Sequence, residues 1–403
     1  MRILVFNCGS SSLKFEFIEI KTRADGRTEE VRRLARGTFQ EIGKHSTIRM
    51  SDESGHKVEL AEPIPDHKTA AARAINWLGE SGNAAIDAVA HRIVHGGAEI
   101  TEPALVTEAS LRALGEASEF APLHNPPAIG VIQAVSERLP VPAVIVTDTG
   151  FHRSIPAAAH TYPIPRVLSD RYGIRRFGFH GIGHAWMLER CAAIRGTPPE
   201  KLNLITLHLG AGCSAAAITQ GHSVDTSMGL TPLEGLMMGT RSGDIDPAIF
   251  SFLAAHEKLS PERVEQMLNR ESGLLGVSGV SDDLREIEAR AEQNQFASLA
   301  IDMFCYRVRK YIGAYVAVLG RVDAIVFGGG IGEHSKIVRE RVCSGMEQFG
   351  LLFDPEANRR ANGHEACISN EQSPVAVYVI PLDEELYIAR AAADVLSAAH
   401  SNR

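Results

Sequence analysis

Several things are missing from this 403-residue chain, and each absence removes a class of protein. No apolar run reaches the length needed to span a membrane as a helix. The six cysteines (Cys8, Cys191, Cys213, Cys305, Cys343 and Cys367) include no C-x-x-C pair. They read as buried or free thiols in a reducing compartment, and as neither a disulfide framework nor a zinc site. The net charge is −8, which argues against sequence-independent binding to nucleic acid. The chain opens directly into an apolar strand with no signal-peptide pattern, so a cytoplasmic protein is expected. G-x-x-x-x-G-K-[ST] is absent, against a Walker-type NTPase. The glycine run at 328–333 does not fit G-x-G-x-x-G, and no G-x-S-x-G elbow supports a serine hydrolase. Apolar content of 44 % and charged content of 22 % are ordinary for a soluble globular chain, and the length suits one large or two ordinary domains.

The most informative segment is the first nineteen residues. Ile3–Phe6 is apolar, residues 7–12 read Asn-Cys-Gly-Ser-Ser-Ser, Lys14 follows, and Phe15 and Phe17 resume the apolar pattern. Strand, tight polar turn and strand are predicted. A turn of glycine and three hydroxyls, flanked by an amide and an ammonium, suits a phosphate cradle; an ordinary serine-rich hairpin turn reads equally well. Residues 22–60 predict further strands at a sheet edge, and 67–80 a helix. Residues 86–94 predict a strand entering the glycine turn of HRIVHGG (91–97). Helices are expected near 107–118 and 127–138. Val141–Thr147 reads as a buried strand with Asp148 at its end, and 150–156 as a domain boundary. Residues 201–219 repeat the opening design, which suggests a duplicated fold. Phe296–Leu319 has the steps of an amphipathic helix stopped by Gly320. Beyond it the spacing predicts a strand (322–327), a glycine loop (328–335), a helix (336–349), a last strand (376–380) and a helix capped by Asp383 (384–399).

Glycine-rich turns recur at 7–12, 208–212, 239–243 and 328–332, which implies a nucleotide held between two lobes. Arg92 follows a strand, and Arg241 lies in a segment too rich in Gly and Asp for a helix interior. Guanidinium groups take phosphate or carboxylate in a bidentate fork, although a surface ion pair suits either residue as well. Asp148 and Glu384 offer hard oxygen ligands for Mg²⁺ beside phosphates; Glu384 equally fits a first-turn charge on a helix dipole. His91/His95 and His180/His184 have i,i+4 spacing, but flanking glycines and β-branched residues argue against a helix for either pair. His91, His95 and His184 read as structural. His180, in a glycine-flanked turn after two arginines, suits donation to a phosphoryl oxygen.

These motifs occur together and in order. NCGSSSLKF (7–15), HRIVHGG (91–97), LHNPP (123–127), DTGFHRSIP (148–156), FGFHGIGH (177–184), HLGAGCS (208–214), the block 223–247, GGGIGEHS (328–335) and IPLDEEL (380–386) span essentially the whole chain. With them the sequence resembles the acetate kinase (acetokinase) family. The resemblance implies an α/β, two-domain actin-like (ribonuclease H-like) duplicated βββαβαβα fold with an interdomain cleft. One lobe would comprise 1–150 plus 386–403, on the phosphate and substrate side, and the other 151–385, on the nucleotide side.

It also implies reversible, in-line phosphoryl transfer between ATP and acetate, giving acetyl phosphate and ADP, with Mg²⁺ (or Mn²⁺). Asn7, Ser10, Ser12 and Lys14 would contact phosphate, with Asn7 and Glu384 at the metal. Arg92 and Arg241 would hold the carboxylate and the phosphoryl group, and His180 and His124 would contact the transferring group. Asp148 would orient groups near the metal. Val94, Leu123, Phe179 and Pro232 would enclose the acyl methyl. His208, Leu209, Gly210, Ala211 and Gly212 would form a phosphate loop. Asp283, Leu284 and Arg285 would line the nucleoside with Gly330, Ile331, Gly332, Glu333 and His334. A homodimer with no nucleic-acid or membrane partner is implied.

Two positions depart from the family pattern. Asn is usual where Ala211 and His334 stand, and both lie on the nucleotide side, so an altered nucleotide affinity or a donor such as pyrophosphate is the corresponding expectation. A propionate or butyrate kinase remains an alternative, because one methylene in an apolar pocket is worth only about 1–3 kcal/mol. A nucleotide-switched binding protein of the actin or Hsp70 type is the alternative from another class. It would leave the two arginines with no carboxylate to hold.

Overall fold

The computed structural model describes residues 1–22, 28–80 and 85–401. The expectation of edge strands over 22–60 falls partly on 23–27, outside the described residues. The chain divides into two compact units, Met1–Phe151 with Asp383–Arg403, and His152–Leu382.

The first unit is built on a sheet of order β5-β4-β3-β2-β1-β6-β8-β7. Its strands are β1 (Arg2–Cys8), β2 (Ser12–Thr22), β3 (Thr28–Gln40), β4 (His45–Asp52), β5 (Lys57–Pro63), β6 (Ala88–Ile93), β7 (Ala104–Leu105) and β8 (Ala143–Thr147). β1 pairs antiparallel with β2, placing Asn7 opposite Lys14, and parallel with β6, placing Asn7 opposite Arg92. β6 runs parallel to β8. From Ile3 to Cys8 every β1 residue is buried, as a strand covered on both faces requires. The edge strand β5 has no buried residue and alternates between exposed and half-buried. The helix His67–Glu80 buries Ala70, Ala71, Ala74, Trp77 and Leu78, the three- and four-residue steps of one apolar face. Trp77 meets the edge of Phe15, with ring centroids 6.2 Å apart. The last helix, Glu384–Ser401, lies against β1, β2, β6 and β8 although it follows the second unit in sequence. The Asp383 carboxylate accepts from Leu386 N at 3.2 Å, in line with the expected cap.

The second unit carries a sheet of order β11-β10-β9-β12-β14-β13. These strands are β9 (Asn203–Leu209), β10 (Cys213–Thr219), β11 (His222–Thr226), β12 (Ala324–Gly328), β13 (Ala366–Cys367) and β14 (Ala376–Val379). β9 is antiparallel to β10 and parallel to β12, and β12 is parallel to β14. β3-β2-β1-β6-β8 and β11-β10-β9-β12-β14 therefore share one order and one pattern of direction, the duplicated α/β architecture that the two similar hairpins suggested. The helix Gln295–Leu319 buries Ile301, Phe304, Val308, Ile312 and Tyr315 and ends at Gly320, whose φ is 67°.

Three local expectations need correction. The run at 328–335 is not a loop: Gly329–His334 is a short helix, and its glycines hid it from a propensity reading. The helix expected over 336–349 stops at Cys343, where Ser344 turns extended and Gly345 adopts a φ of 69°. The helix Gly181–Arg195 was not anticipated. All six cysteines are free, with only Cys367 exposed. Among the described residues no helix is long and apolar enough to cross a membrane.

Candidate active site

In the first unit the parallel strands β1, β6 and β8 deliver three polar side chains to neighbouring strand ends. Asn7 is the penultimate residue of β1, Arg92 that of β6, and Asp148 directly follows β8. Arg92 forks onto Asp148, with Nη2 to Oδ2 at 2.6 Å and Nε to Oδ1 at 3.3 Å, and donates through Nη1 to Asn7 Oδ1 at 3.0 Å. The Asn7 amide donates to Glu385 Oε1 at 2.9 Å and Glu384 Oε2 at 3.3 Å. The Asp148 side chain is 1 % exposed and that of Arg92 15 %. Burial alone would lower the Arg92 pKa; the charges of Asp148 and Glu384 more than reverse this and hold it above its ordinary value. Asn7 thus links the arginine to the acidic first turn of the last helix.

The glycine turn behind Arg92 is fixed by residues that local reading missed. Asn125 is buried; its Oδ1 accepts from His95 N at 3.2 Å and its Nδ2 donates to His95 O at 2.8 Å. Gly97 N donates to His95 Nδ1 at 2.9 Å, and burial pushes the His95 pKa down to about 4. His95 is structural, as expected. His91 is too: it is buried on β6, and burial lowers its pKa to about 3. In the serine turn Gly9 N donates to Ser12 O at 2.8 Å, while Ser10 and Lys14 are exposed and Ser12 half-buried. Val94 is buried, His124 half-buried and Leu123 55 % exposed.

In the second unit His180 is the N-cap of the helix Gly181–Arg195, with a φ of 58°. This backbone region is uncommon for residues other than glycine. His184 lies in the first turn, so the expectation that neither histidine of this pair is helical fails for His184. Contacts from β9 and β10 override the flanking glycines. His180 Nδ1 meets Ser214 Oγ at 2.9 Å, Ser214 Oγ meets His184 Nε2 at 2.8 Å, and His184 Nδ1 meets Thr206 Oγ1 at 2.7 Å. His208 stacks on His180 with centroids 4.1 Å apart. Burial, aided by His152 and His208, holds the His184 pKa well below its ordinary value. His152, bonded to Ser223 Oγ at 2.8 Å and Phe179 O at 3.1 Å, is pushed by burial down to about 4. The neutral His184 ring, the hydroxyl it shares with His180 and the stacked His208 ring fix the orientation of the His180 ring.

Arg241 lies beside this chain. A Cβ placed on Gly212 would sit 3.4 Å from His180 Nε2 and 3.6 Å from Arg241 Nη1, so the glycine keeps open the space that both groups border. Arg241 Nη1 donates to Pro232 O at 3.1 Å. Among the described residues no carboxylate pairs with this half-buried guanidinium, and burial lowers its pKa. A positive group held in this way calls for an anion.

A cavity of about 470 Å³ in the first unit lies on the sheet face bearing Lys14, Arg36 and Lys57. In the second unit a cavity of about 580 Å³ is lined by Gly210, Ala211, Asp283, Leu284, Arg285, Gly330, Ile331 and His334, a size suited to a nucleoside. Asp283 caps a short helix by accepting from Arg285 N, and Arg285 folds back onto it. Gly332 is buried away from this cavity, and Glu333 Oε1 accepts from Gly329 N and Leu382 N, each at 3.0 Å. His334 Nδ1 meets Asn362 Oδ1 at 2.8 Å.

Comparison with known proteins gives the family. The model of the Acetokinase family matches residues 2–390. The chain belongs to the acetokinase family. It is 45 % identical to the acetate kinase of Thermoanaerobacterium thermosaccharolyticum over 97 % of this chain and 98 % of that protein. The crystal structure of Porphyromonas gingivalis acetate kinase superposes with a TM-score of 0.90 at 40 % identity, covering 98 % of this chain and 99 % of the other. A propionate kinase from Francisella tularensis gives 0.87 at 36 % identity, covering 97 % and 98 %. Solved structures with both names therefore share this fold nearly end to end.

Proposed function

We propose that this chain catalyses reversible transfer of the ATP γ-phosphoryl group to acetate, giving acetyl phosphate and ADP. The observation that carries the reading is Arg241, a half-buried cation with no carboxylate partner among the described residues, beside His180 Nε2 and Gly212. An acetate oxygen attacks the γ-phosphorus as the bond to the ADP oxygen breaks. The nucleophile is already ionised at neutral pH, so no general base is required. Asp148, with both oxygens on Arg92, serves as an orienter. Arg241 and His180 hold the phosphoryl oxygens, and Arg92 and Arg241 position the carboxylate. Positioning and charge neutralisation are what such transfer needs.

Asn7, Ser10, Ser12, Lys14 and the 208–212 loop would contact phosphates, His124 would contact the transferring group, and Val94, Leu123, Phe179 and Pro232 would meet the acyl methyl. The 283–285 and 330–334 segments would take the nucleoside. On this reading the first unit is the substrate and phosphate side and the second the nucleotide side.

Mg²⁺ (or Mn²⁺) fits the donor set. The Glu384 carboxylate stands beside the Asn7 amide, and among the described residues no group of three or more His, Cys, Asp or Glu forms a cage. Mg²⁺ suits one or two carboxylates with phosphate oxygens and water. Bound there, it would supply charge neutralisation at the phosphates. A homodimer is supported by the helix Ala248–His256, which is almost wholly apolar and has no buried residue, with Phe252 58 % exposed. The free thiols fit a reducing cytoplasm.

A second reading, a propionate-preferring enzyme, is favoured by the Francisella tularensis structure. Trapping the acyl phosphate as hydroxamate, with acetate, propionate or butyrate and with ATP or pyrophosphate, tests both. The proposal expects the highest kcat/KM with acetate and ATP. Absence of acid-dependent hydroxamate with ATP overturns it, and a higher kcat/KM for propionate replaces it with the second reading.

A further inference from the structure

The reaction as read above leaves unused a half-buried polar cluster in the second unit. Arg176 lies four residues before His180. Its Nη1 donates to the carbonyls of Thr226, Ser227 and Met228 at 2.9, 3.2 and 3.1 Å, and its Nη2 to Glu234 Oε1 at 2.5 Å. The other Glu234 oxygen accepts from Tyr162 Oη, which in turn accepts from Leu230 N at 2.9 Å. The guanidinium also sits over the Tyr162 ring, 5.7 Å from its centroid. The Arg176 side chain is 16 % exposed and that of Glu234 33 %.

This cluster joins two stretches of chain that are far apart in sequence. Phe177 N and Gly178 N both donate to Gly229 O, at 3.1 and 3.3 Å, so the segment running into His180 is bonded to the 226–235 loop. Gly229 has no room for a side chain, since a Cβ there would collide with the Glu234 carboxylate and the Tyr162 hydroxyl. At its far end the loop is pinned again. Gly235 N donates to Asp244 Oδ1 at 2.8 Å, Asp244 N returns to Gly235 O at 2.9 Å, and Tyr311 Oη donates to Asp244 Oδ2 at 2.7 Å. Pro232 and Arg241 ride on the chain between these ties, joined to each other by the bond from Arg241 Nη1 to Pro232 O.

We infer that Arg176, Glu234 and Tyr162 are positioning residues for phosphoryl transfer: they tie the segment bearing His180 to the loop bearing Pro232 and Arg241. The inference rests on the roles proposed above for His180 and Arg241. A cluster that only stabilised the fold would have no reason to end on both of these segments. Misplacing a reacting group by about 1 Å can cost roughly 10²-fold in rate, so loosening the tie is expected to show in kinetics as well as in melting.

The test uses Glu234→Gln, which keeps the shape and removes the charge, and Tyr162→Phe, which removes one hydroxyl. Arg176→Lys is a third variant that abolishes the fork. Each is assayed well below its melting temperature. kcat/KM for acetate is expected to fall by about tenfold or more, with ADP affinity, measured by titration, within twofold of wild type. Adding Glu234→Gln to Arg241→Lys is expected to cost less than twofold further, because residues acting through one another are not additive. Wild-type kcat/KM in Glu234→Gln and Tyr162→Phe overturns the inference, as does a Glu234→Gln effect that multiplies in full with Arg241→Lys. If Arg176→Lys fails to fold, the other two variants decide. Full activity in Arg241→Ala would defeat the proposed mechanism; an inactive Arg241→Ala beside an unaffected Glu234→Gln would defeat this inference alone.

Discussion

Arg92 and Arg241 are both arginines drawn at least partly out of water, and they are held in opposite ways. Arg92 is fully answered from within: Asp148 takes both ends of its fork, Asn7 takes a third bond, and Glu384 lies close enough to raise its pKa. Arg241 has a carbonyl and a thioether as its bonded partners, and burial lowers its pKa. The first arrangement is a rigid, charge-balanced frame. The second leaves a positive charge with no counter-charge among the described residues, and therefore receptive to an anion. Two residues of one type, singled out by one sequence argument, acquire different roles from what the fold places beside them.

The comparison breaks most visibly in stability. Asp148→Asn leaves the Arg92 guanidinium without its directly bonded carboxylate, and removing one partner of a buried pair costs about 3–5 kcal/mol. Arg241→Ala leaves no carboxylate unpaired and is expected to change stability by less than about 1 kcal/mol. Denaturant melts of the two variants check this, and equal losses would erase the distinction.

Acid should act on both units through their buried imidazoles. His95 and His152 have native pKa values lowered to about 4, and His91 to about 3. In the unfolded chain these rings bind protons below about 6.5. The unfolded state therefore binds more protons between about pH 6.5 and 4, and stability is lost as pH falls through that window. Each imidazole contributes up to about 1.4 kcal/mol per pH unit. Melts from pH 8 to 4.5 are expected to be flat above about pH 7 and steep below 6; a flat profile to pH 5 would contradict the neutral assignments.

His180→Ala removes the group held by Ser214 without unpairing a charge. Loss of one preorganised donor predicts a fall of about 10²–10³ in kcat, with melting little changed. A kcat within a few fold of wild type would remove His180 from the mechanism. The smallest expected effect is at Ala211, which lines the cavity of about 580 Å³ in the second unit. Ala211→Asn adds one amide, so nucleotide affinity should rise by about 2–10-fold, the worth of one hydrogen bond. Unchanged affinity by titration would mean that the amide finds no phosphate.

Much of this was legible along the chain. Ile3–Phe6 and Leu204–Leu209 announced strands by composition, and their flanking glycine turns announced the duplication. Asp148 could be placed at a strand end because Val141–Val146 is apolar throughout and Thr147 is β-branched. Pairings across the sheet were not legible. Nothing local says that Asn7 lies opposite Arg92 or that Glu385 stands beside Asn7, and the return of the last helix to the first unit was implied by the family resemblance alone. His184 was misread because Gly181 and Gly183 weaken helical propensity, while its bonds to Thr206 and Ser214 come from distant strands. The roles of Ser214, Asn125 and Glu234 likewise depend on partners at least thirty residues away.

The most direct test of the account is the turnover of Arg241→Ala with saturating ATP, Mg²⁺ and acetate, measured as ADP release beside its melting temperature. An uncompensated guanidinium that neutralises a phosphoryl group in transfer predicts a loss of about 10³–10⁵ in kcat from a variant that melts like wild type. Near-wild-type turnover from that same folded variant would contradict it.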